Sequence, residues 1–183
     1  SGDQYAMPYN LGKLAEILEG AKRPGHFEGV VQVVDRLIDI VQPTTIFMGQ
    51  KDFQQFSIIQ RMLDINGKPT TLHVCPIIRE HDGLAMSSRN VRLTKQDRLD
   101  ALSLSRALRY IDENKYDHTP ENLMQKALQF LDNSNIKVEY LTIADGRTLQ
   151  PIQKITPDSY IVALVAAWVG EVRLLDNIIL TSQ

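Results

Sequence analysis

A short apolar run between two amphipathic segments constrains the fold of this chain most. Residues 44–48 are Thr-Thr-Ile-Phe-Met and stop at Gly49, a layout typical of a buried parallel strand. Apolar residues at helical spacing over residues 28–41 predict an amphipathic helix before it. A second helix, ending at Gly67, and a strand over residues 70–78 are predicted after it. This alternation predicts an α/β fold, namely the last two strands of a doubly wound sheet.

The remainder of the chain predicts a small α+β domain. Thr94 with Asp97 predicts a capping box for a helix that reaches residue 111, and Thr119-Pro120 predicts the start of another through residue 131. Strands are predicted over residues 137–143, 160–169 and 171–180, with turns at residues 145–146 and 170. The predicted domains are residues 1–77 and 78–183, and the first lacks the earlier part of its sheet.

The composition favours a globular protein of the cytoplasm. Of the 183 residues 43% are hydrophobic, and 20 Lys and Arg nearly balance 22 Asp and Glu, so the charge predicts no nucleic-acid or membrane partner. No apolar run is long enough to span a membrane, and the layout of a signal peptide is missing. The single cysteine, Cys75, excludes an internal disulfide and is predicted to be inert core. Ser1-Gly2 resembles the remnant of an expression tag.

The first candidate site is the segment 49–55, Gly-Gln-Lys-Asp-Phe-Gln-Gln, at the carboxyl end of a predicted strand and the amino end of the helix after it. Ligands bind at this end of the strands in open α/β sheets, where free amides and the helix dipole attract phosphate. Gly49 allows close approach of the backbone, and Lys51 adds a mobile cation. The alternative is a solvated helix start with Lys51 and Asp52 as surface charges, and the chain has no P-loop or Gly-x-Gly-x-x-Gly motif to decide between the two.

The second candidate site is the segment 82–90, Asp-Gly-Leu-Ala-Met-Ser-Ser-Arg-Asn, between the two predicted domains. Two hydroxyl groups and a guanidinium in sequence can hold a polyphosphate from several sides. The alternative is a linker turn in which Ser87 or Ser88 caps a helix.

The third candidate site is the segment 23–27, Arg-Pro-Gly-His-Phe, which brings a cation and an imidazole to the start of a helix. The alternative is an ordinary surface turn. The other histidines, at positions 73, 81 and 118, are scattered and lack the spacing of metal ligands, so no protein-held metal is predicted.

Taken together, in their order and spacing, these three segments resemble the pantoate–β-alanine ligase family, also called the pantothenate synthetases. The motif 49–55, Gly-Gln-Lys-Asp-Phe-Gln-Gln, is part of the resemblance. It continues through Ala-Ala-Trp at 166–168 and Leu-Leu-Asp-Asn at 174–177, and so covers almost the whole chain.

The resemblance implies an ATP-dependent ligase that joins pantoate to β-alanine through a pantoyl-adenylate, in pantothenate biosynthesis on the coenzyme A pathway. That family is similar to the nucleotidyltransferases related to class I aminoacyl-tRNA synthetases. Residues 1–77 would then be the remainder of a Rossmann-like domain that binds ATP and pantoate, and residues 78–183 a lid domain. Mg²⁺ would be held through the ATP phosphates, and the full-length protein would be a homodimer.

The resemblance also assigns roles to individual residues. The residues that would bind ATP are Gly49, Gln50, Lys51, Asp52, Ile78, Met86, Ser87, Ser88 and Arg89, with Ile78 beside the adenine. Gln55 would contact pantoate, and Arg23 and His26 would approach the substrates. The catalytic set would be Lys51, Ser88 and Arg89, which neutralise charge that develops on the phosphates.

The sequence departs from the family in one large respect, because the amino-terminal half with its His-x-Gly-His motif has no counterpart here. We therefore expect residues 1–183 to be inactive on their own. Two alternatives stay open: a non-catalytic nucleotide-binding or interaction module, and an adenylyltransferase that acts on a different acid or on a nucleotide. Pyrophosphate exchange that depends on pantoate would separate them.

Overall fold

The computed structural model describes residues 10–182, and Ser1-Gly2 lies outside the described residues. The chain forms two compact units, Ser1–Pro76 and Ile77–Gln183. Within the described range, no helix is both long and apolar enough to cross a membrane.

The first unit is built on two parallel strands joined by a helix. Its elements are α1 (Glu19–Lys22), α2 (His26–Val41), β1 (Thr45–Gly49), α3 (Phe53–Asn66) and β2 (Thr71–Cys75). Strands β1 and β2 run parallel, with Thr45 opposite Thr71 and Gly49 opposite Cys75. The predicted order of helix, strand, helix and strand is confirmed, and it gives this unit its α/β character.

Glycines with positive φ stand at two of the helix ends of this unit. Gly25 adopts a φ of 78° directly before α2, and Gly67 adopts a φ of 60° directly after α3, which confirms the predicted C-cap. Helix α3 buries one apolar face: Phe53, Phe56, Ile58, Ile59, Met62 and Leu63. Glycine therefore sets the start of α2 and the end of α3, and packing of its buried face stabilises α3.

Two predictions about the strands of this unit are wrong. Residues 44–48 were expected to be buried, but Phe47 is 68% exposed beside the His73 ring, because α3 packs on one face and leaves the other open. The second strand ends at Cys75 instead of residue 78, since Pro76 has no N–H to donate to the ladder. Cys75 is only half-buried, so it does not belong to the core.

The second unit is a three-stranded antiparallel sheet covered by two helices. Its elements are α4 (Lys95–Glu113), α5 (Pro120–Phe130), β3 (Ile136–Asp145), β4 (Ile161–Val169) and β5 (Val172–Thr181), and the strands follow the order β3-β4-β5. The predicted α+β composition of residues 78–183 agrees with these elements. All residues of β4 except Trp168 are buried, because this central strand lies between β3 and β5 and under α4.

The sequence signals at the ends of elements in this unit are confirmed. Thr94 and Asp97 form both bonds of the capping box at the start of α4. Thr119 caps α5, whose first residue is Pro120. Gly170 turns β4 into β5 with a φ of 53°, and a Cβ there would lie 2.8 Å from an oxygen of Asp97, so a side chain would collide as well as strain the turn.

Candidate active site

The turn after β1 opens onto free space at its first residue. Gln50–Asp52 forms one turn of 3-10 helix, and α3 begins directly after it. Gly49 is extended and exposed, and a Cβ built on it would meet no atom within 4 Å. The start of α3 therefore presents its amino-terminal turn to a region that a ligand could occupy.

Lys51 is held, in contrast to the mobile cation and to the surface charge that the sequence suggested. Its ammonium nitrogen lies 3.6 Å from a carboxylate oxygen of Asp52, and its side chain is only 19% exposed. Asp52 is 53% exposed, so of this pair the acid faces solvent. A largely buried lysine beside an open helix start is a fixed positive charge, which suits phosphate better than a flexible one.

Gln54 is a buried structural residue to which the sequence analysis assigned no role. It is 4% exposed, and its amide nitrogen donates to the carbonyl oxygens of Leu14 (2.7 Å) and Ile17 (2.8 Å). Its amide oxygen accepts from the N–H of Glu19 at 3.0 Å. Gln54 therefore binds the segment 14–19 to the start of α3.

Gln55 points in a different direction from Gln54. Consecutive residues on a helix point about 100° apart, so Gln54 and Gln55 cannot face the same way. Gln55 is half-buried. This difference in direction was available from helix geometry, but the burial of Gln54 was not visible in the sequence.

Arg23 and His26 form a pair at the start of α2. A guanidinium nitrogen of Arg23 lies 2.9 Å from Nε2 of His26. Since arginine only donates, Nε2 of His26 accepts this hydrogen bond and carries no proton. Burial and then the positive charge of Arg23 lower the pKa of His26, and Glu19 and Glu28 partly oppose this. The backbone N–H of Glu19 donates to Gln54, so Glu19 lies near both His26 and Gln54.

In the second unit, residues 78–86 form a small hairpin. The N–H of Met86 donates to the carbonyl oxygen of Ile78 (2.9 Å), and the N–H of Glu80 donates to that of Leu84 (2.8 Å). Gly83 makes the turn with a φ of 94°. Ile78 and Met86 are 66% and 55% exposed, so the hairpin presents an apolar pair at its open end.

Residues 86–89, which we call the tip, follow the turn of the hairpin, and all but the first carry polar side chains. Ser87 accepts a hydrogen bond from the N–H of Arg89 (3.2 Å) and caps the 3-10 turn Ser88–Arg92, so one alternative interpretation of Ser87, as a helix cap, is correct. Ser88 and Arg89 are exposed, and we find no hydrogen bond or ion pair from either side chain to residues 10–182. A hydroxyl and a guanidinium are therefore available to a ligand.

The sequence analysis assigned no role to the acidic side chains of this hairpin, Glu80 and Asp82. Hydrogen bonds from Asn90 and then Arg98 lower the pKa of Glu80. Burial acts to raise the pKa of Asp82, but the N–H of Leu84 and the guanidinium of Arg98 outweigh it, and the net shift is downward. Within residues 10–182, no group of three or more His, Cys, Asp or Glu side chains could hold a metal ion.

Comparison with known proteins assigns the family. The model of the family described as pantoate-beta-alanine ligase matches residues 3–179. The chain belongs to the pantoate–β-alanine ligase family. It is 44% identical over 171 residues to a pantothenate synthetase of Porphyromonas gingivalis, a match that covers 93% of this chain and 61% of that relative.

Solved structures of this family share the fold. A pantothenate synthetase of Thermus thermophilus is similar with a TM-score of 0.88 and 36% identity, over 93% of this chain and 62% of that one. A pantoate–β-alanine ligase of Francisella tularensis, solved in complex with β-γ ATP and β-alanine, gives a TM-score of 0.67 and 31% identity, over 94% and 57%. The chain thus spans about three fifths of the length of the family members it matches.

Proposed function

We propose that this chain carries part of the active site of a pantoate–β-alanine ligase, which makes pantothenate, AMP and pyrophosphate from pantoate, β-alanine and ATP. The observation that carries the proposal is the family match over residues 3–179, which includes all three polar segments. The complex of the Francisella tularensis relative with an ATP compound and β-alanine supports this choice of substrates.

In this proposal the first unit is the remainder of a Rossmann-like domain, residues 1–77, that binds ATP and pantoate. Gly49, Gln50, Lys51 and Asp52 contact the nucleotide, and the held charge of Lys51 at the start of α3 supports that role. The exposed backbone of Gly49 gives a phosphate room to approach. Gln55 contacts pantoate, and Arg23 and His26 lie on the substrate side.

The second unit, residues 78–183, acts as the lid domain. The exposed side chains of Ile78 and Met86 suit the face of an adenine, which needs apolar contact. Ser88 and Arg89 provide donors to the phosphates, while Ser87 supports them as the cap of the turn.

The reaction proceeds in two steps. An oxygen of the pantoate carboxylate attacks the α-phosphorus of ATP, and the bond to pyrophosphate breaks. The amine of β-alanine then attacks the carbonyl carbon of the adenylate, an amide forms, and AMP leaves while the amine gives up its proton. Lys51, Ser88 and Arg89 stabilise charge on the phosphates, and no covalent bond to the protein is needed. Mg²⁺ bound to the phosphates of ATP would supply further charge neutralisation.

Pyrophosphate exchange tests this function. In the chain extended to the length of its relatives, we expect exchange between pyrophosphate and ATP that requires pantoate. We also expect the extended chain to be a homodimer in the cytoplasm. Exchange that proceeds with another acid and not with pantoate would indicate an adenylyltransferase of different specificity. No exchange with any acid, together with ATP binding, would indicate a nucleotide-binding module.

Residues 1–183 alone are expected to make no pantothenate. A misplacement of about 1 Å can cost roughly 100-fold in rate, so a chain of about three fifths of the family length should lose turnover even if it folds. The measurement is AMP release with ATP, Mg²⁺, pantoate and β-alanine, beside the extended chain. Robust AMP release by the 183-residue chain, free of host enzyme, would contradict this expectation.

A further inference from the structure

We propose that Glu80, Asn90 and Arg98 are positioning residues that fix the tip 86–89 for the phosphates of the nucleotide. This inference rests on the proposed function for the identity of the ligand. The mechanical part of it, that these three residues fix the tip, can be tested without any ligand.

Glu80 is the centre of the arrangement. One of its carboxylate oxygens accepts from the side-chain nitrogen of Asn90 at 2.6 Å, and the other accepts from a guanidinium nitrogen of Arg98 at 2.5 Å. The Nε of Arg98 donates to Asp82 at 2.8 Å. Glu80 precedes the tip and Asn90 follows it, so one carboxylate joins both ends of the tip to α4.

Asn90 acts in this cluster as a donor. It is 7% exposed, and its side-chain nitrogen donates also to the carbonyl oxygen of Ala85 at 3.1 Å. Glu80 and Ala85 offer only acceptors, so the chemistry decides which way the amide points. The Oδ1 atom of Asn90 is buried with no hydrogen-bond partner in the described chain. Asn90 therefore takes part in the cluster through its two donated bonds.

The tip is also held by short-range bonds, from the N–H of Met86 to Ile78 and from the N–H of Arg89 to Ser87. Ser88 and Arg89 are exposed, and their side chains make no hydrogen bond or ion pair to residues 10–182. The N–H of Asn90 donates to the carbonyl oxygen of Ser87 at 3.0 Å, so the position of Asn90 is passed directly to the tip. The cluster around Glu80 therefore helps to fix the positions of the exposed side chains of Ser88 and Arg89.

The other ion pair of the hairpin has a different task. Arg79 makes two bonds to Asp176 on β5, at 2.8 and 3.0 Å, and donates to the carbonyl oxygen of Gly83 at 3.1 Å. Asp176 is 5% exposed, so this pair joins the base of the hairpin to the sheet. It anchors the hairpin as a whole, whereas the cluster around Glu80 acts on the tip.

The test compares substitutions on one face of α4 with a matched substitution elsewhere on that helix. Arg98→Ala removes the bridge, and Arg98→Lys keeps the charge but cannot contact two carboxylates through a fork. Arg106→Ala is the control, because Arg106 is exposed and forms no hydrogen bond or ion pair that we find in residues 10–182. Asn90→Asp, which places a second carboxylate against Glu80, disturbs the cluster from its other side.

Hydrogen exchange of the 183-residue chain without nucleotide is the first measurement. For Arg98→Ala and Asn90→Asp we expect the amides of Met86, Arg89 and Asn90 to exchange about tenfold faster, the scale of one lost hydrogen bond, with core amides of β4 unchanged. Arg98→Lys should lie between wild type and Arg98→Ala. Equal exchange in wild type and both variants, an equal effect of Arg106→Ala, or a loss of protection throughout β4 would each overturn the proposal. If Arg98→Ala does not fold, Arg98→Lys and Asn90→Asp decide.

Kinetics of the extended chain is the second measurement. A positioning role predicts a higher KM for ATP and a lower adenylation rate in Arg98→Ala, with partial rescue by Arg98→Lys and no change in Arg106→Ala. Faster hydrogen exchange at the tip in Arg98→Ala together with unaltered adenylation kinetics would overturn the link to the nucleotide. If the wild-type extended chain shows no pantoate-dependent adenylation, the proposed function fails, while the exchange result still decides whether the cluster fixes the tip.

Discussion

The two phosphate-binding candidates of this chain are held in different ways. The turn Gln50–Asp52 is placed by backbone geometry, as the link between β1 and α3, and its lysine has a neighbouring acid as ion-pair partner. The hairpin that leads into the tip 86–89 is bonded to other elements by side chains, from Glu80 to Arg98 on α4 and from Arg79 to Asp176 on β5. A site formed by a helix start needs few specific side chains, whereas a hairpin outside regular structure needs several.

The largest effect is expected where the hairpin meets its sheet. Asp176→Asn removes the charge that Arg79 faces, and breaking a buried pair from one side costs about 3–5 kcal/mol. We expect the free energy of unfolding of the second unit to fall toward the lower end of that range, because Arg79 is 30% exposed. Urea denaturation followed by fluorescence of the single tryptophan, Trp168, measures it. Asp132→Asn, an exposed acid of the same unit, is the control, and equal midpoints for the two variants would contradict the prediction.

The first unit should respond in catalysis more than in stability. Lys51→Ala in the extended chain removes a cation beside the developing charge, and loss of one such donor costs about 2.7–4 kcal/mol in the transition state. We expect pantoate-dependent pyrophosphate exchange to slow by about 10²–10³-fold, with the fold retained. Lys13→Ala, an exposed lysine of the same unit, should leave exchange unchanged. An exchange rate within error of wild type for Lys51→Ala would remove this residue from the catalytic set.

A substitution of Gln54 tests whether the turn Gln50–Asp52 depends as little on specific side chains as its contrast with the tip 86–89 suggests. Gln54→Leu removes three hydrogen bonds to backbone groups of residues 14–19, of which the carbonyl oxygen of Ile17 keeps a bond from the N–H of Gly20. An unsatisfied buried group costs about 1–3 kcal/mol. We expect a loss of stability in that range, since water can reach part of the released segment. Gln60→Leu, on the exposed side of the same helix with one local bond to Asp64, is the control. Equal stability of both variants would show that Gln54 is dispensable.

The smallest effect is a difference in acid sensitivity between the units. The folded-state pKa of His26 lies below its ordinary 6.5, so the unfolded chain binds protons more readily, and stability of the first unit is lost as the pH falls below 6.5. Glu80 has a folded-state pKa below its ordinary 4.5, so its contribution to the second unit is present above pH 4.5 and lost as the pH falls through its folded-state pKa. NMR titration measures both midpoints.

Two variants sharpen that titration. Arg23→Ala should raise the midpoint of His26, because it removes a nearby positive charge. Arg98→Ala should raise the midpoint of Glu80, because it removes a hydrogen-bond donor and its charge. A His26 midpoint above 6.5 in the wild-type chain would show that its interaction with Arg23 has been misjudged.

Local signals in the sequence predicted the ends of elements well. Gly67 after α3, the capping box of Thr94 and Asp97, and Pro120 at the start of α5 all act within a few residues, so their effect is legible in the chain order. The apolar central strand β4 was also predictable, because its composition fits little else than a core strand. The three polar segments were found for the same reason, since each is continuous in sequence.

Tertiary structure alone decided the rest. Whether β1 is buried depends on what packs on each face of its sheet, and apolar composition does not state this. The roles of Gln54, Glu80 and Asp176 depend on partners that lie far along the chain: Gln54 with residue 14, and Arg79 with residue 176. The sequence by itself determined which polar segments the chain has and where α4 and α5 begin. Which side chains hold those segments follows from folding, because a hydrogen bond depends on distance in space and not on separation in sequence.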